Sequence, residues 1–171
     1  LHQFEEHWVD IYGNTYAFHP YINMMLSDLV GATNGVQDIL SETGVFVINT
    51  SLVWLVGALA IWRGPTAVFP MLCMAAIVVV NAISHLAAFG MRGEYNPGLL
   101  TGTFVFLPLG VAAYIWAVKS ANAGVFQVLF SLLWGVFAHV VMIGGMIMSG
   151  WLHALSEEVY FALLAIWSIL P

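Results

Sequence analysis

Apolar residues in this chain come in long runs, without the regular polar interruptions of a soluble helix. Four runs, at about 44–62, 67–90, 99–118 and 124–150, are each bounded by Gly, Pro or a charge. Each is long enough to cross a hydrocarbon core of about 30 Å, which takes roughly 20 residues as a helix. A fifth run begins near Ser156 and continues to Pro171. Backbone polar groups in lipid must pair internally, and no ten-residue alternation supports a barrel, so the runs are read as α-helices. Residues 1–43 differ. There, NTYAFHPYIN and SDLVGATNGVQDILSETG mix aromatics, acids and Gly, the pattern of a first helix followed by an interfacial or re-entrant cap. The expectation is an all-α, polytopic integral-membrane helical bundle with five to six membrane-embedded helices. It forms a single transmembrane domain over 1–171, with five spans in 44–171.

Composition supports this reading. Of 171 residues, 61% are hydrophobic and only 7% charged, against roughly a quarter charged in soluble domains. Three Lys and Arg residues leave nothing to hold a nucleic acid. The single cysteine, Cys73, excludes an internal disulfide and reads as packing. No charged n-region with a cleavage site opens the chain, so no signal peptide is expected, and Leu1 starts abruptly within a helical pattern whose upstream part is expected to be missing. Arg63 and Lys119 lie in connections without acids, and all nine acids fall on the opposite side with Arg92. The positive-inside rule then makes the Arg63 and Lys119 loops cytoplasmic and turns the acidic face outward.

Titratable residues gather toward that acidic face. LHQFEEHWVD holds two of the six histidines and three of the nine carboxylates. On a helix, His2, Glu5 and Glu6 stand at i, i+3 and i+4 and project to one side. An imidazole with carboxylates on one face suits zinc, iron or manganese, with further ligands from other helices. His85 and His139, deep in their spans, are the candidates, since intramembrane ionisable groups face the bundle interior and mark functional sites. Asn81, four residues before His85, shares its face and would orient a ligand or bond a substrate. His153 and Glu157 open the last helix one turn apart and would support the site from behind. Alternatives exist for each: a solvated helix end for HQFEEH, an interhelical hydrogen bond to Asn49 or Asn81 for the intramembrane histidines, and ordinary capping for His153 and Glu157. His19, Asp28, Asp38 and Glu42 read as solvated loop.

Three motifs occur in order: H-x-x-E-E at His2, Glu5 and Glu6; N-x-x-x-H at Asn81 and His85; and Y-x-P-G at Tyr95, Pro97 and Gly98. Together they resemble the HXXEE-domain family, suspected membrane-bound metalloenzymes with no assigned reaction. The resemblance implies a multi-span helical architecture and a metal site formed by His2, Glu5, Glu6 and His85. Physically, Pro97 and Gly98 make a compact reversal that brings Tyr95 over the pocket mouth, as a lid donor or as an interfacial anchor.

The expected function is that of an integral-membrane metalloenzyme. A divalent metal, zinc or iron and one or two ions, is held by His2, Glu6, His85 and His139. Glu5 acts as general acid or base, with Tyr95 beside it. The partners are the bilayer and a lipophilic small molecule or lipid, because few cations are present to hold phosphate. Hydrolysis is the simplest chemistry. The same donors would also serve an oxygen-dependent oxidation at two irons, with Glu94 and Glu157 joining them. Different classes remain open: a proton-coupled carrier or relay without metal, and a bis-histidine haem protein using His85 and His139.

Overall fold

The computed structural model describes residues 1–64 and 66–171. Among them no strand occurs, and the chain forms seven helices: α1 (His2–His7), α2 (Phe18–Leu29), α3 (Glu42–Arg63), α4 (Val68–Arg92), α5 (Leu99–Ser120), α6 (Val125–Trp151) and α7 (Glu157–Ile169). Helices α3 to α6 are each long and apolar enough to cross a membrane. The expected number was five to six. The four do not include α7, whose 13 residues run to Ile169, two positions from the end of the sequence. The large apolar side chains left on the outside, such as Phe46, Trp54, Phe104 and Phe130, suit lipid as the surrounding solvent.

Helix α4 is the centre of the bundle, packed against α3, α5 and α6. Hydrophobicity does not drive association of helices in lipid, so close packing must, and small residues allow it. A Cβ at Gly135 of α6 would stand 2.6 Å from the Ala76 Cβ of α4, so only glycine fits there. A second apolar cluster of Leu26, Ile39, Leu40, Leu52, Met146, Tyr160 and Leu164 joins α7 and the N-terminal cap to the spans.

Three spans contain π-helical turns: Asn49–Leu55 in α3, Gly102–Phe106 in α5 and Ile147–Trp151 in α6. Such turns recur at functional sites because they re-aim side chains. Ends follow ordinary rules. Ser41 caps α3 by accepting from the Gly44 N–H at 2.9 Å, and α4 stops at Gly93 in the left-handed region.

The cap is ordered by polar contacts. His19 donates to the Leu40 carbonyl at 2.6 Å, and Asn23 exchanges hydrogen bonds with the Leu40 backbone. His19 is therefore a structural tie rather than a solvated loop residue. Asp28 pairs with Arg92 at 2.6 Å and fixes the end of α2 to the end of α4.

Candidate metal centre

Helix α1 is short, yet it carries the buried chemistry. His2, Glu5 and Glu6 are all buried, while Phe4 and Trp8 are exposed and stack on each other with ring centroids 5.9 Å apart. The i and i+4 positions place His2 and Glu6 on one face, and α4 brings His85 to meet them. Glu6 Oε1 lies 3.3 Å from His2 Nε2 and 3.4 Å from His85 Nε2. Among the described residues, these three form the one group of His, Cys, Asp and Glu whose ligand atoms all lie within 4.8 Å of each other.

What surrounds the imidazoles fixes which nitrogen faces inward. Asn96 is fully buried; its Nδ2 donates to the His85 carbonyl at 3.1 Å, so its Oδ1 accepts from His85 Nδ1–H at 2.6 Å. Thr101 donates its hydroxyl to Glu5 at 2.5 Å, so its oxygen accepts from His2 Nδ1–H at 2.8 Å. Both rings thus present Nε2 to Glu6, and His2 Nε2 is buried with no hydrogen-bond partner. Metal-binding histidines are held in this way, with the distal nitrogen donating to a fixed acceptor.

Glu5 points elsewhere. It accepts from the Thr101 and Leu100 N–H groups at 2.8 and 3.2 Å, from the Thr101 hydroxyl, and from the Tyr95 hydroxyl at 2.8 Å. Its carboxylate thereby sits at the start of α5, where orphan N–H groups favour an anion. Burial acts to raise its pKa, but the bonds from Thr101, Tyr95 and Leu100 outweigh that and hold it below the ordinary value. Burial likewise acts to raise the Glu6 carboxyl, and the two facing imidazoles hold it down to about 2. Burial and the Glu5 contact push the Tyr95 phenol up.

Gly98 closes the centre from above. It has φ +93°, and a Cβ there would lie 2.7 Å from the Cε1 atoms of both His2 and His85. Phe106, from the π-helical turn of α5, packs on the other ring face of the site with its centroid 4.2 Å from that of His2.

The family model described as "Protein of unknown function with HXXEE motif" matches residues 1–113 of the 171. The chain belongs to the HXXEE family. In this HXXEE protein the histidine and second glutamate of the motif join the centre, and the first glutamate anchors the histidine through Thr101. The comparison with curated proteins and that with solved structures each give no match.

The remaining candidates stand apart from the three ligands. His139 lies outside the group; its Nδ1–H donates to the Gly135 carbonyl at 2.8 Å, and its ring lines the adjoining cavity. Asn81 also faces that cavity, and its side-chain oxygen makes no hydrogen bond. His153 is exposed, and Glu157, also exposed, accepts from the Ser41 hydroxyl. Glu94 is exposed too, so the carboxylates needed for a two-iron site are not gathered. His85 Nε2 is turned toward Glu6 rather than left free as one axial ligand of a haem. Asn96 and Thr101 escaped the sequence reading. Asn96 sits inside Y-x-P-G at its unspecified position, and Thr101 is one hydroxyl in the first turn of an apolar span.

Proposed function

We propose that this HXXEE protein is an integral-membrane, metal-dependent enzyme acting on a lipophilic substrate, with hydrolysis the simplest reaction for its donor set. The observation that carries the proposal is the buried, partnerless Nε2 of His2 beside Glu6 and His85. An imidazole nitrogen facing a carboxylate oxygen at 3.3 Å in an apolar interior is a place for a cation between them, a metal ion or a shared proton, because unpaired buried acceptors are costly.

Two imidazoles and one carboxylate suit zinc with an open position, and equally non-haem iron(II). Such a cation supplies Lewis acidity and an activated water, and iron adds redox chemistry. The residues of the chain have distinct parts. His2, Glu6 and His85 hold the ion. Thr101 and Asn96 fix the two rings, and Glu5 with Tyr95 fixes Thr101, so Glu5 and Tyr95 are positioning residues. Glu5 already accepts four hydrogen bonds, which leaves little capacity for proton transfer. Substrate reaches the site through a cavity of about 440 Å³ lined by His2, Glu6, His85 and apolar side chains of α2, α3, α4 and α6, within the roughly 300–1,000 Å³ of small-molecule sites. The positive-inside rule, applied to Arg63 and Lys119, assigns the centre to the non-cytoplasmic side.

Thermal melting of detergent-purified, chelator-treated protein tests the proposal. Added zinc or iron(II) should raise the Tm of the wild-type protein and leave that of His2→Ala unchanged. A wild-type Tm indifferent to both ions would reject it.

A further inference from the structure

The cavity beside the metal centre has a second polar feature that the ligand set does not use. Gln3 accepts from Trp54 Nε1 at 3.0 Å through its Oε1, which leaves its buried Nε2 without a partner. Asn81 Oδ1, also buried, has no partner. His139 donates through Nδ1, so its Nε2 is left as an acceptor. All three residues line the cavity. Their free groups are therefore one donor from Gln3, two acceptors from Asn81 and His139, and the Asn81 amide N–H₂. Unpaired polar atoms in an apolar wall cost about 1–3 kcal/mol each unless a ligand or water meets them.

The rest of the wall is hydrocarbon. Phe18, Ile22, Met25, Leu26 and Leu29 of α2 form one helical face over it, and Met142 and Met146 of α6 lie across. Leu29 and Met91 are highly exposed, which places an opening between the ends of α2 and α4. No Lys or Arg lines the space, and Arg92 near the opening is committed to Asp28. In the metal-free protein an anionic head would meet the Glu6 carboxylate with no Lys or Arg to offset it.

We infer that the cavity takes a single-chain neutral lipid whose head carries both an acceptor oxygen and a polarised hydrogen, the chemistry of a fatty amide or a fatty alcohol. The head meets Gln3, Asn81 and His139 while the chain lies under α2. This deepens the proposed function and rests on it for what happens to the head: water added to an amide would release the carboxylic acid and ammonia, an alcohol would need the redox chemistry of iron, and binding itself does not require the ion.

The test uses the full chain in phosphatidylcholine nanodiscs, treated with chelator so that binding is read without metal. Oleamide and oleyl alcohol are added separately, with oleate and octadecene as the charged and headless comparisons, and Tm is measured. A rise with oleamide, oleyl alcohol or both, absent with oleate and octadecene, is the expected result; the stronger arm identifies the head. Asn81→Leu should abolish the rise, and Ala88→Phe, which fills the cavity from α4, should do so independently if Asn81→Leu does not fold. A wild-type protein that shows the lipid shift but whose Tm is indifferent to zinc and iron(II) would overturn the metal centre alone. No shift with either neutral lipid, an equal shift with oleate or octadecene, or a shift that survives Ala88→Phe would overturn the inference.

Discussion

At the scale of single residues, the centre depends as much on what stands behind the ligands as on the ligands themselves. Asn96→Leu and Thr101→Val each remove the acceptor that fixes one imidazole, and metal affinity should fall roughly 10–100-fold in a competition assay with a chromophoric chelator. Gly98→Ala meets two obstacles: a φ of +93° and a methyl 2.7 Å from both rings. It should destabilise the fold by roughly 1–3 kcal/mol and abolish metal uptake, read by melting and by the same competition. Glu5 gives a pH signature. Its pKa is lowered on folding, so its contribution is present above the ordinary value of 4.5 and lost as pH falls through the folded value. The Tm gap between metal-free wild type and Glu5→Gln should therefore be widest near neutral pH and shrink below about pH 4.5; a constant gap would remove Glu5 from this role. His2 and Glu6 were legible in the sequence from their helical spacing, and His85 from its depth in an apolar run. The difference in task between Glu5 and Glu6 was not. On a bare helix they are neighbours on one side, and only the start of α5, arriving from a hundred residues away, captures one and leaves the other.

At the scale of elements, the apolar runs identify the four spans directly, because nothing but a helix satisfies their backbone in lipid. The cap was less readable. Its short helices are held by specific contacts such as His19 with Leu40 and Asn23 with the Leu40 backbone, and those depend on segments that share no period. Helix α2 is tied down at its end by one ion pair, Asp28 with Arg92, and covers the cavity with its apolar face. The pair is exposed to solvent, and such surface pairs contribute little to stability. Asp28→Asn should therefore leave Tm nearly unchanged yet raise amide hydrogen exchange across residues 18–29. Exchange confined to the spans, with α2 unaffected, would show that packing alone holds it.

For the whole molecule, four helices long and apolar enough to cross a membrane surround a buried two-histidine, one-carboxylate cluster near the ends of α4 and α5, and α1 supplies two of its three ligands. Hydropathy conveyed the architecture and motif spacing conveyed the cluster. The number of spans was the part that hydropathy left open: the fifth apolar run, Ser156 to Pro171, forms α7, which is not among the four helices long and apolar enough to cross a membrane. A reporter fused after Lys119 should stay cytoplasmic, and its export would reverse the orientation. Elemental analysis of the intact purified protein bears most directly on the metal centre. Wild-type protein and His153→Ala, altered at an exposed histidine, should each carry close to one equivalent of zinc or iron, and Glu6→Gln and His85→Ala should carry almost none. Equal metal content in all four proteins, or none in the wild type after supplementation with both ions, would contradict a centre built on His2, Glu6 and His85.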